Sequence, residues 1–211
     1  MEVERLLEAI IHGIILAFGL IVPLGVQNVF VFNQGALQPK LSRALPVVVT
    51  AAVSDTILIL AAVSGVSLLV LTFGWLENIV FGFGILFLLF IGFSLWRSEA
   101  ASPETEAERF TAKRQIIFAA SVSLLNPHAL LDTIGVIGTN SLNYENEEKW
   151  AFTMATIIVS WLWFIGLAMA GRFLGRLDAS GKLMQGLNKI SALIVWAIAV
   201  YMAIQLIENV T

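Results

Sequence analysis

Cysteine is absent from the chain, which removes disulfides, thiolate metal sites and thiol–disulfide electron transfer together. Charge is scarce as well: Asp, Glu, Lys and Arg make up 13% of the 211 residues, against 58% hydrophobic residues. So little charge cannot cover the surface of a soluble domain of this size. The net charge of −3, with no basic patch, gives no footing for nucleic acid. Histidine occurs twice, too few without Cys to complete a metal site, and no metal or other cofactor is expected. The start, Met1-Glu2-Val3-Glu4-Arg5, lacks the positive region of a signal peptide, and no small-residue cleavage site ends a short apolar run. The first segment is therefore expected to be retained.

What the chain has in quantity is apolar length. Mean hydropathy is +0.88. Six stretches, at 6–32, 45–71, 75–96, 115–138, 150–171 and 189–208, reach the roughly 20 residues needed to cross a bilayer. The expected fold is an all-α integral membrane protein with six transmembrane helices, a single domain over 1–211 with the lipid bilayer as its surroundings. Trp75, Trp96 and Trp150 fall at segment ends, where interfacial anchors belong. With six spans, the first, third and fifth loops carry Lys40, Arg43, Arg97, Arg109, Lys113, Arg114, Arg172, Arg176, Lys182 and Lys189, and the opposite side carries only Arg5 and Lys149. That asymmetry places the basic loops in the cytoplasm and both termini outside.

Two of the apolar segments are interrupted. The first reads Pro23-Leu24-Gly25-Val26-Gln27-Asn28 and the fourth Asn126-Pro127-His128. Proline removes an N–H and pushes its neighbour out of helical geometry. Backbone freed in this way at membrane depth persists only inside protein or along a polar cavity. The second and fifth segments also correspond: Val53-Ser54-Asp55 ends ten residues before Gly65, and Val159-Ser160-Trp161 ends ten residues before Gly171. The spacing predicts two three-helix repeats, about 6–96 and 115–208, joined by a charged cytoplasmic linker at 97–114. Three spans is an odd number, so the second copy is expected to be inverted, with the first and fourth helices broken. Matched breaks of this kind mark the substrate site of a carrier.

Asp55 lies among Ala51, Ala52, Val53, Ile57, Leu58 and Ile59. A carboxylate at that depth costs at least roughly 2.5 kcal/mol and is expected to face a cavity or a partner. It can ligate a cationic substrate, couple protons, or make a structural hydrogen bond to a neighbouring helix. Asp132 follows His128 by four positions, on one helix face, and the two can pair beside Asn126. Alternatively Asp132 reaches the interface and His128 is a packing residue. Gln27 and Asn28 bring amides, which both donate and accept, as an amino-acid head requires. Asn33 and Gln34 either extend that set or cap the helix. Trp161 and Trp163 lie deeper, where packing is favoured over stacking on a cation. Gly171 and Gly175 have the spacing of a dimer motif, which keeps a homodimer open.

These residues resemble the LysE superfamily. The resemblance rests on Pro23-Leu24-Gly25-x-Gln27-Asn28-x-Phe30-Val31-x-Asn33-Gln34-Gly35, on Ser54-Asp55, and on Leu125-Asn126-Pro127-His128-x-x-Leu131-Asp132-Thr133. It spans essentially the whole chain and is closest to the arginine/lysine exporter branch, which often has Pro where Val26 stands. It implies a bacterial inner-membrane exporter of basic L-amino acids driven by the proton-motive force. The substrate-binding set would be Gln27, Asn28, Asp55, Asn126, His128 and Asp132, with the breaks at Pro23, Gly25 and Pro127 and proton coupling at Asp55. Sister branches export neutral amino acids such as homoserine or threonine, and in that reading Asp55 serves coupling alone. An enzyme is not expected: the chain has no Cys, no His-Glu-x-x-His and no Gly-x-Gly-Asp.

Overall fold

The computed structural model describes residues 2–22, 25–65, 74–97, 111–124, 130, 133–177 and 182–210. Every element among them is helical: α1 (Glu2–Ile21), α2 (Val26–Leu37), α3 (Leu41–Val63), α4 (Gly74–Trp96), α5 (Ala112–Leu124), a π-helical turn (Thr133–Gly138), a short turn (Thr139–Ser141), α6 (Asn146–Leu177) and α7 (Lys182–Val210). Helix ends follow local chemistry. Gly65 takes φ +86°, a left-handed conformation open to a residue without Cβ, and its N–H donates to the Ala62 carbonyl to close α3. Glu147 and Glu148 occupy the first turn of α6 and Arg176 its last, each complementing the helix dipole.

The axis of the bundle is α6, whose 32 residues rise about 48 Å at 1.5 Å each. On it pack α1, α2 and α3. Gly13 of α1 lies against Phe152 and Ala155 of α6, while farther along Gly171 abuts Phe32 and Gly175 abuts Ala36 of α2. The α1–α2 pair thus runs beside α6 in the same chain direction, with Asn28 at the start of α2 level with the middle of α6. Gly171 and Gly175, whose spacing suggested a helix dimer, are both covered by α2 of the same chain. A second layer, α4 against α7, joins the first through Val26 of α2 and Val122 of α5, which pack with Leu88, Ile91, Val195, Ala199 and Met202.

The expectation of six transmembrane helices in two inverted three-helix repeats is overturned; the break expected in the first helix falls between α1 and α2, and the one expected in the fourth lies outside the described residues. Among the described residues only Leu41–Val63 and Asn146–Leu177 are long and apolar enough to cross a membrane, or three spans if the α1–α2 pair counts as one. The reason is that apolar length and helix length diverge. The stretch 6–32 divides into helices of 20 and 12 residues whose axes bend by 81°. At 1.5 Å per residue α2 rises only about 18 Å, short of a hydrocarbon core of about 30 Å. The described part of the stretch 115–138 includes a 13-residue helix and a six-residue π-helical turn. The described apolar stretches of the third and sixth segments are also short, Gly84–Phe93 and Asn188–Ile204.

Candidate functional site

Midway along α3, the Asp55 carboxylate is shared by three helices. Its Oδ1 accepts a hydrogen bond from Gln27 Nε2 of α2 at 3.0 Å, and its Oδ2 accepts one from Ser160 Oγ of α6 at 2.9 Å. The next residue repeats the pattern: Trp161 Nε1 donates to Thr56 Oγ1 at 3.1 Å, and Thr56 in turn donates to the Ala52 carbonyl at 2.7 Å. Asp55 is thereby held on both oxygens, and α6 reads two successive side chains of α3.

The first interruption meets this cluster from the side. Gly25 is extended (φ −82°, ψ 171°), and α2 starts at Val26 without a side-chain cap. The first N–H groups of a helix have no intrahelical acceptor, so those of Val26, Gln27 and Asn28 are turned towards the interruption. Asn28 is buried; its Nδ2 donates to the Ile21 carbonyl at 2.6 Å, and its Oδ1 accepts from Trp163 Nε1 at 3.2 Å. Asn28 therefore ties the end of α1 to the start of α2 and fixes both to α6.

Apolar packing closes the polar cluster along both directions of the bundle. Ala51 and Ala52, preceding Asp55, belong to a buried group with Phe30, Val31, Val48, Phe164 and Ala168. One turn beyond Asp55, Ile59 belongs to another with Ile157 and Phe152, against which Trp161 packs. Asp55 itself is half-buried, with apolar groups flanking it along the bundle, and a lower local dielectric strengthens the electrostatic interactions it makes.

The structure brings together three of the residues singled out in the sequence, Gln27, Asn28 and Asp55, with Gly25 beside them. Pro23, Asn126, Pro127, His128 and Asp132 lie outside the described residues. Ser160, Thr56, Trp161 and Trp163 enter as new members. The sequence signal for Ser160 was present, in the correspondence of Val159-Ser160-Trp161 with Val53-Ser54-Asp55, but it was read as repetition where the structure makes a contact. Asn33 and Gln34 are buried: Asn33 Nδ2 donates to Asn188 Oδ1 of α7, and Gln34 Oε1 accepts from Gln38 Nε2 at 3.1 Å. Both make contacts other than with Asp55, nearer the C-terminal end of α2.

Comparison with known sequences adds the following. The profile of the family described as LysE type translocator matches residues 18–206. The chain is 55% identical over 203 residues to a Bacillus subtilis (strain 168) protein named "Putative amino-acid transporter YisU", covering 96% of this chain and 92% of that one. It is 34% identical over 196 residues to the arginine exporter protein ArgO of Escherichia coli (strain K12), covering 91% and 92%. With the arginine exporter protein ArgO of Enterobacter sp. (strain 638) the identity is 33% over 203 residues, covering 94% and 95%. No solved structure gives a significant match.

Proposed function

The chain belongs to the LysE family of translocators, and from that membership we propose that it exports basic amino acids, arginine and lysine, across the bacterial cytoplasmic membrane in exchange for protons. As a multi-pass membrane protein of a transporter family it is not an enzyme. The observation that carries the basic cargo is the Asp55 carboxylate, half-buried between α2, α3 and α6 at the level of the interruption. A neutral amino acid needs amides and helix ends but no further buried charge, whereas a guanidinium or ammonium needs a carboxylate. The names of the arginine exporters, similar over more than nine-tenths of this chain, agree with it.

In this reading Asp55 takes the cationic side chain. The freed N–H groups at the start of α2 take the α-carboxylate, as helix N-termini take anions. Gln27 lines the site, and Asn28 holds the interruption in shape. Asn126, His128 and Asp132 are proposed to complete the site from the second interruption, at Pro127, and Pro23 to set the first. Moving a cation outward against a negative interior costs roughly 2.3 kcal/mol per 100 mV, and exchange for one proton cancels that cost. A carboxylate that holds either cargo or proton links the two fluxes, which gives Asp55 the coupling role as well.

The orientation proposed is with the basic end inside. Arg172 of α6 donates to the carbonyls of Gln38 and Pro39, and Gln115 of α5 donates to the Arg43 carbonyl at 3.0 Å. Those contacts gather Lys40, Arg43, Lys113, Arg114, Arg172 and Arg176 at one end, with Arg5 and Lys149 at the other. Short basic segments favour the cytoplasm.

A second reading has one observation in its favour. Both oxygens of Asp55 are hydrogen-bonded within the chain, as a purely structural or proton-coupling carboxylate would be. The cargo would then be neutral, such as threonine or homoserine. Radiolabelled arginine counterflow in proteoliposomes separates the two. Competition by lysine and not by threonine, with loss of counterflow in Asp55→Asn, supports the basic cargo; competition by threonine alone rejects it.

A further inference from the structure

The two donors on Asp55 stand where the donors of a guanidinium would stand. A guanidinium binds a carboxylate through two parallel N–H groups, one to each oxygen. Gln27 Nε2 holds Oδ1 at 3.0 Å and Ser160 Oγ holds Oδ2 at 2.9 Å, so each oxygen already has a donor, one from each neighbouring helix. Each carboxylate oxygen can accept a second hydrogen bond, but a cationic side chain that takes the fork now held by Gln27 and Ser160 displaces one or both. We propose that Gln27 and Ser160 are built-in stand-ins for the cargo's N–H donors: they satisfy Asp55 between transport cycles, and their exchange for cargo releases α2 from α3. The inference rests on the basic-cargo reading and gives Gln27 a role opposite to that of a cargo ligand.

The chemistry of the donors fits an exchange. Amide N–H and hydroxyl O–H are neutral, and hydrogen bonds to a carboxylate are stronger when the donor is charged as well. Cargo therefore wins the exchange, but by less than it would over a bare carboxylate. That reduction limits affinity and favours release. The alternative of leaving Asp55 without donors is costly at this depth. The neighbouring bonds show which ties break and which remain. Asn28, adjacent to Gln27, stays bound to Ile21 and Trp163, and Trp161, adjacent to Ser160, stays bound to Thr56. Exchange at Asp55 thus loosens α2 from α3 while α2 remains tied to α1 and α6, and it leaves α3 and α6 in register.

The sign of one mutational effect decides the matter. If Gln27 ligated cargo, removing its amide would weaken binding; as a stand-in, its removal tightens binding. Gln27→Met keeps the volume and removes the donor, and Ser160→Ala does the same on the other oxygen. The full-length protein is to be tested for equilibrium binding of radiolabelled arginine and for counterflow in proteoliposomes, at alkaline pH where protons compete least. Each variant is expected to lower the arginine Kd by about tenfold, the order of one hydrogen bond to a charged group. Slower release makes KM and kcat of counterflow fall together. A role confined to holding the fold would instead weaken binding. If one variant fails to fold, the other carries the test. Unchanged or weaker arginine binding in the folded variants, with wild-type binding intact, overturns the stand-in role and leaves the basic cargo standing. Wild-type protein that binds threonine and not arginine overturns the basic cargo, and the stand-in role with it.

Discussion

Asn28 replaces, with one side chain, the helical bond that the interruption removes. The last carbonyls of any helix lack intrahelical donors, and Asn28 Nδ2 supplies one to Ile21 at 2.6 Å while its Oδ1 receives the Trp163 indole at 3.2 Å. Asn28→Ala leaves both groups without this partner, at about 1–3 kcal/mol each. The expected result is a clearly lower thermal midpoint in detergent and loss of counterflow. Trp163→Phe removes one bond and keeps the ring, so about 1 kcal/mol is expected and a partial loss of transport. Equal effects of the two substitutions, measured by thermal unfolding, would contradict this account of Asn28. A second residue-scale prediction concerns Tyr144, in the turn before α6, whose hydroxyl pairs with His12 Nδ1 at 2.7 Å. Burial first, then the carboxylates of Glu8 and Glu148, raise its pKa above the ordinary 10.0. The folded chain holds this proton more tightly than the unfolded chain, so the contribution is complete below pH 10.0 and declines as pH climbs through the raised folded value. Thermal midpoints should fall on alkaline titration, and Tyr144→Phe should flatten that fall while lowering the neutral midpoint slightly.

At the scale of elements, the contact between α2 and α6 is set by glycine. A Cβ on Gly35 would be driven into the Ala168 carbonyl, and one on Gly171 into the Phe32 carbonyl; both obstacles are backbone and cannot swing aside. Gly166, on the same helix, has nothing within 4 Å of its Cβ position. Gly35→Ala and Gly171→Ala are expected to destabilise by about 1–3 kcal/mol and to slow transport, because α2 carries Gln27 and Asn28. Gly166→Ala is expected to be neutral or to stabilise by up to about 1 kcal/mol through helix propensity. Thermal unfolding of the three variants in the same detergent tests the contrast. The same elements show how far the sequence could be read. A helical membrane protein follows from apolar composition, and the need of Asp55 for a partner follows from its apolar neighbours. The end of α1, the short α2 and the π-helical turn are not marked by hydropathy, because an apolar run continues through a change in backbone geometry. The partner of Asp55 was also hidden: Ser160 is 105 positions away, and only the packing of α6 on α3 brings it there. The identical dipeptide pattern at 53–54 and 159–160 invited a symmetric explanation, whereas the folded chain uses the two serines differently, with Ser160 bonded across the helix interface.

Among the described residues, charge is segregated between the two ends of the bundle. Contacts among α2, α3, α5 and α6 collect Lys40, Arg43, Lys113, Arg114, Arg172 and Arg176 at one end, and the opposite end carries Glu2, Glu4, Glu8, Glu147 and Glu148 with Arg5 and Lys149. The carboxylate of Asp55 lies between them, with an apolar layer towards each end. The described residues thus present like charge to a cation at the basic end and opposite charge at the acidic end. Such an arrangement suits an exporter only if the basic end is cytoplasmic and cargo is abundant there. The absence of cysteine makes orientation directly measurable, since a single introduced thiol is the only one in the chain. Lys113 and Glu147 are exposed at the two ends. A membrane-impermeant maleimide should label Glu147→Cys on intact cells and Lys113→Cys only after the membrane is opened. The reverse pattern would place the basic end outside, contrary to the charge rule for short segments. It would also leave outward-moving cations to exit through a surface of their own sign, and the direction of transport assigned to Asp55 would have to be turned round.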